Sequence, residues 1–227
     1  MANESIKPNQ TSPLPWIGLA IALLGYPILS ILINRLFKQG SPNHTLAGFF
    51  VSWLLSGIII LIVLRVEKQS LESIGLVAIH WKQILLAVGI GIFLSSTVPL
   101  LTMLASKIIP ATDEGSISAV AESVSPLLLL ASVITAGITE EILYRGFPIG
   151  RLSEITGSTW LAVLVAVFAF TLPHFLGWNL AHVIGVVLPL GVVLSLLYLW
   201  KGNLLLNMIV HMMVNLPLVF IAMTGEQ

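Results

Sequence analysis

The stretch LLLLASVITAGITEEILYR, Leu127 to Arg145, decides what kind of protein this is. It is apolar enough to cross a bilayer, for which about 20 apolar residues are needed. Yet it contains Glu140 and Glu141, and a charge at that depth costs about 2.5–3.5 kcal/mol on insertion scales. A cost of that size calls for a partner or a use, so the two carboxylates are the first place to look for chemistry.

The rest of the 227-residue chain agrees with a membrane setting. Hydrophobic residues make up 57% and charged residues 9%, where a soluble domain carries about a quarter charged. Ten basic and ten acidic residues balance, so no global field points to nucleic acid or another polyanionic partner. The absence of cysteine excludes disulfides, thiolate metal ligands and a cysteine nucleophile. No HExxH, GxSxG or phosphate-binding glycine loop occurs.

Seven segments approach spanning length, at about 14–36, 45–65, 83–105, 126–148, 159–175, 182–200 and 203–223. The expected fold is an all-α polytopic transmembrane helix bundle of about seven helices with a polar cavity inside the membrane. The glycines and prolines of Phe175 to Pro189 leave room for an eighth, re-entrant or split segment. Residues 1–13 read as a flexible tail, 14–125 as N-terminal transmembrane helices, and 126–223 as the part that carries chemistry. With seven spans, Lys7, Arg65, Lys68, Lys82, Arg145, Arg151 and Lys201 share one side, and Arg35, Lys38 and Lys107 the other. Basic residues concentrate in cytoplasmic loops, which puts the N-terminus in the cytoplasm and the C-terminus outside. The 106–125 connection, with Asp113, Glu114 and Glu122, then lies outside. Glu67 to Trp81 reads either as an interfacial amphipathic helix or as an ordinary connecting loop. His44 reads as solvated, and His182 with Asn179 as an interfacial cap. Gly89, Gly91, Ser95, Ser96, Gly185 and Gly191 read as close-packing positions between helices.

Three polar clusters lie in separate spans. In the first, Glu141 and Arg145 are i and i+4 with the acid N-terminal, the favourable order for an ion pair. Glu140 points about 100° away and is free to face a cavity, where a partly desolvated carboxylate suits a general base. The second is Phe170-Thr171-Leu172-Pro173-His174. If the fourth helix runs on to a turn near Gly157, Glu140 and His174 each lie 17 residues from that turn, and an antiparallel hairpin puts them at one depth. The third is His211-Met212-Met213-Val214-Asn215, whose His and Asn project from one helix face. Each cluster alone has a bland reading as a helix end, a packed histidine or an interhelical hydrogen bond. Together they supply one another's partners, so a shared polar cavity is the simplest arrangement.

The ordered set EExxxR, FxxxH and HxxxN resembles the CPBP intramembrane proteases, a family that includes the CAAX-processing endopeptidases and the bacterial Abi, or bacteriocin-immunity, proteins. The likeness covers about residues 126–223. It implies an intramembrane endopeptidase in which Glu140 activates water with His174 beside it, and His211 and Asn215 stabilise the oxyanion. Glu141, Arg145 and Phe170 would be supporting residues. No cofactor is favoured. The family has been described both as metal-dependent and as metal-free, and zinc, if bound, would fall to His174, His211 and Glu140. Partners would be the lipid bilayer and a membrane protein or lipidated peptide substrate, although nothing in these residues selects a prenyl group. The short loops point to a bacterial inner membrane. The alternatives are a non-proteolytic scaffold or immunity factor, and a proton-linked transporter, which lacks an inverted repeat.

Overall fold

A computed structural model describes residues 14–110, 115–116 and 124–224. The N-terminal tail and the acidic residues Asp113, Glu114 and Glu122 lie outside the described residues. Seven helices are long and apolar enough to span a membrane: α1 (Pro15–Leu36), α2 (Pro42–Val66), α3 (Trp81–Ser106), α4 (Pro126–Thr156), α5 (Thr159–Leu176), α6 (Leu180–Lys201) and α7 (Leu204–Thr224). Helix formation follows from the apolar runs, since lipid offers no partner for backbone N–H and C=O groups. The chain is an all-α integral membrane protein, with Phe50, Phe93, Trp160 and Phe168 on its outer surface. The region from Phe175 to Pro189 adds no eighth span among the described residues; it holds the short break between α5 and α6, at Gly177–Asn179, and the first turns of α6.

Local signals set the helix ends. Ser41, Ser125, Ser158 and Asn179 each accept a hydrogen bond from the backbone N–H three residues on, which satisfies one of the donors a helix start leaves free. Pro42 and Pro126 follow two of these caps, where a missing N–H costs nothing. Gly157 closes α4 in a left-handed conformation, φ 69°, one that a residue with a Cβ adopts only with strain.

With 31 residues, α4 is about 46 Å long and outruns the hydrocarbon core, which is about 30 Å thick. It widens to a π turn at Ile142–Gly146, directly after the two glutamates and just before Pro148. Proline lacks the N–H and crowds the carbonyl four residues back, so the widened turn and the proline accommodate each other. This turn joins Glu140 and Glu141 to the tail of α4, and such bulges recur at functional sites.

The chain forms one bundle. Phe147, Tyr144 and Leu143 of α4 pack with Leu19, Ala22, Ile59, Phe170 and Val183 in its main core. Along its length, α7 packs against both α3 and α4. Those approaches are close because Gly91 meets Met213 and Gly137 meets Met212. Gly185 and Gly191 also sit at close contacts, against α3 and α5. Gly89 does not: nothing lies within 4 Å of where its Cβ would stand. Of the two serines expected at packing positions, Ser95 lines a cavity and Ser96 is exposed, with its hydroxyl bonded to Phe93 O.

Residues 67–80 form a packed connecting loop and not an amphipathic helix. They hold one short 3₁₀ turn, Leu71–Ile74, with Ile74 fully buried. Arg151 pins the loop, donating to Glu67 Oε2 at 2.6 Å, to Ser73 O at 3.1 Å and to the Ser73 hydroxyl at 3.1 Å. Charged hydrogen bonds of this kind contribute about 1.5–3 kcal/mol. Arg151→Ala is therefore expected to speed tryptic cleavage after Lys68 in detergent-solubilised protein. Equal cleavage rates in wild type and variant would show that the loop is held by something else.

Candidate functional site

Three helices bring the three polar clusters together. Glu140 and Glu141 come from α4, His174 from the 3₁₀ turn Leu172–Leu176 that ends α5, and His211 from α7. The proline in that turn cannot continue the α-helical ladder, and the tighter winding keeps His174 four residues from its own anchor. His174 Nδ1 lies 2.8 Å from Phe170 O. A carbonyl only accepts, so Nδ1 donates and Nε2 is left free.

Glu141 is the hub. It is fully buried, and its Oε1 accepts from Arg145 Nη1 at 3.0 Å and from His211 Nδ1 at 2.8 Å. Its Oε2 accepts from Asn207 Nδ2 at 3.1 Å. The i,i+4 ion pair expected of Glu141 and Arg145 is present, and the carboxylate also sets the His211 ring: with Nδ1 committed as donor, Nε2 faces the cavity. A carboxylate buried this deeply is tolerable only because three donors surround it.

Glu140 has the opposite environment. Its side chain is 22% exposed, and its Oε2 lies 3.8 Å from His211 Nε2, beyond hydrogen-bonding distance and close enough for one small group beside the pair to touch both. Glu140 and His174 line the same two cavities. One, of about 260 Å³, lies towards α1 and α2. The other, of about 270 Å³, lies towards α3, α6 and α7, and His211 and Asn215 also face it. Glu140, His174 and Trp178 form part of the wall common to both.

Phe170 is the wedge that spaces these groups. Its ring centroid is 4.1 Å from Arg145 Cζ, 4.9 Å from the His174 ring, 5.6 Å from Tyr144 and 6.2 Å from His211. The stacked guanidinium gains a cation–π contact in a site where water is scarce. Gly191 on α6 makes room for this ring: a Cβ there would stand 2.9 Å from it.

Asn207 escaped the reading of the sequence. It is fully buried and also donates to Leu194 O at 2.7 Å, which ties α6 to the hub. Its signal was the i−4 position from His211, extending the HxxxN stripe by one turn. Two other histidines differ from expectation. His182 is buried and stacked on Trp178 at 4.4 Å, because Asn179 does the capping one turn earlier. His44 is half-buried, with Nε2 2.9 Å from Asn34 Oδ1, because α1 and α2 pack side by side there.

Among the described residues no three His, Asp or Glu side chains are grouped to hold one metal ion. His174, His211 and Glu140, the trio that would fall to zinc, are not assembled as such a site.

Residues 122–217 match the family model described as Type II CAAX prenyl endopeptidase Rce1-like. No curated protein and no solved structure matches the chain at a significant level.

Proposed function

We propose that the chain, whose residues 122–217 match the Type II CAAX prenyl endopeptidase Rce1-like model, is an intramembrane endopeptidase of the CAAX-protease, or CPBP, type that hydrolyses a membrane-associated substrate with water activated at Glu140. The single observation that carries this reading is the pair of adjacent carboxylates in opposite environments. One is locked among Arg145, His211 and Asn207, and the other is left open to two cavities.

In this proposal a water molecule lies between Glu140 and His174, and the free Nε2 of His174 accepts a hydrogen bond from it and orients it. As the water oxygen attacks the scissile carbonyl carbon, Glu140 takes its proton. The carbonyl oxygen becomes the oxyanion and receives a hydrogen bond from the Asn215 amide and from His211 Nε2. For that donation His211 must carry protons on both nitrogens, and Glu141 at Nδ1 compensates the positive charge. Such donors count for most where water is excluded. Collapse breaks the C–N bond as Glu140 returns the proton to the leaving nitrogen, giving one new carboxylate and one new amine. No acyl-enzyme is formed.

The apolar cavity, lined by Val98, Val186, Leu190, Val214 and Leu218, suits a substrate presented from the bilayer. The proposed orientation has the N-terminus in the cytoplasm of a bacterial cell. The test is a comparison of new peptide termini in membranes of cells making the wild type and cells making Glu140→Gln at equal abundance. Termini that appear only with the wild type, and that the purified protein reproduces, are the expected result. Identical termini in both would sink the proposal in favour of a scaffold.

A further inference from the structure

The cavity towards α1 and α2 is walled by two polar stripes. On α1 they are Tyr26, Ser30 and Asn34, and on α2 His44, Gly48 and Ser52. Each set is spaced i, i+4, i+8, so each occupies one helix face. These faces bear no part of the family match, which begins at residue 122. Polar stripes between membrane helices often serve only as a hydrogen-bonded seam. One such bond does cross here, between His44 Nε2 and Asn34 Oδ1 at 2.9 Å. A seam closes the gap between its helices, however, and here a volume of about 260 Å³ stays open, room for roughly eight water molecules at about 30 Å³ each.

The lining runs from an exposed residue to the candidate base. Gln39 is exposed, its side-chain amide donating to Leu176 O at 2.9 Å. Glu140 and His174 line the same cavity. From Asn34 to Tyr26 the stripe descends about 12 Å along α1. Gly48 lies on the way: a Cβ there would stand 3.4 Å from the Tyr26 hydroxyl, in van der Waals contact, so this is a narrow level that any larger side chain on α2 would fill. The second cavity draws half of its lining from Val, Leu, Pro and Ile, and no three of its polar residues repeat at i, i+4, i+8 on one helix.

We propose that the cavity between α1 and α2 is the aqueous route by which water reaches Glu140, and that Gly48 forms its neck. Each hydrolysis consumes one water molecule, and a base embedded in a bilayer needs that water resupplied. The role in turnover rests on the proteolytic reading, whereas the route itself does not.

The chain contains no cysteine, so a single introduced cysteine can be labelled in native membranes with no background from the protein itself, which is then purified to read the label. The probe is a positively charged, membrane-impermeant methanethiosulfonate. Asn34→Cys and the deeper Ser52→Cys are expected to react at rates comparable to exposed Gln39→Cys. Leu218→Cys, in the apolar cavity, is expected to react about a hundredfold more slowly, because a charged reagent enters lipid at high cost. Adding Gly48→Phe, or Gly48→Leu if the former does not accumulate, should slow labelling of Ser52→Cys, spare Asn34→Cys, and reduce formation of new termini in parallel. A Ser52→Cys that reacts only after unfolding in detergent overturns the route. Labelling blocked by the Gly48 variants with undiminished termini overturns its role in turnover. Labelling as expected in a wild type that makes no termini overturns the proteolytic reading and leaves the route standing.

Discussion

Glu140→Gln is expected to slow peptide-bond cleavage by about 10²–10⁴-fold, the usual contribution of a general base, while leaving the fold in place. The amide keeps the shape of the carboxylate and removes its capacity to take a proton from water. The fold keeps its tightest charge contacts without it, because the Glu140 side chain is 22% exposed and lies 3.8 Å from His211 Nε2, beyond hydrogen-bonding distance, whereas Glu141 holds His211 Nδ1 at 2.8 Å. The rate is to be measured in proteoliposomes on the substrate that the terminus comparison identifies, with the thermal midpoint followed on the same preparations. A variant that cleaves at the wild-type rate would remove Glu140 from the chemistry. A variant that loses activity together with its midpoint would show only that the residue is structural.

The neighbouring substitution is expected to do the reverse. Glu141→Gln leaves Arg145 buried with no compensating charge, and breaking a buried pair in this way costs about 3–5 kcal/mol. The arginine has no route to solvent, since it is itself fully buried beneath Phe170. Unfolding in detergent should therefore shift far more for Glu141→Gln than for Glu140→Gln. Replacing both partners, Glu141→Leu with Arg145→Met, removes the stranded charge and should regain much of the stability. It should not regain activity, because His211 Nδ1 has then lost its acceptor and the ring its fixed orientation. A Glu141→Gln variant as stable as wild type would mean that the hub does not hold the bundle. An active double variant would mean that it does not hold His211.

These two predictions separate adjacent residues of the same type, and that separation was legible in the chain. One residue along a helix is 100° of rotation, so an EE pair followed by arginine four places after the second glutamate sends one acid to the arginine and the other elsewhere. The seven spans were legible for a similar reason, since lipid demands long apolar helices and tolerates few alternatives. The turn at Gly157 was legible too, because glycine readily takes the left-handed conformation that ends a helix.

Contacts between helices were another matter. Asn207 looks like any polar residue on an apolar helix until α4 and α6 close around it, and the Glu141 hub exists only in that packing. The loop at 67–80 is held by Arg151, which lies more than 70 residues further on. The stripes on α1 and α2 do not stand out in the chain, because each is half of a cavity wall and no local pattern encodes the other half. Helical periodicity thus set which residues share a face, because backbone geometry is local. Which faces meet, and whether they meet as a seam or leave a space for water, was decided by tertiary packing, where the size of a side chain such as Gly48 or Gly191 acts on residues far away in the chain.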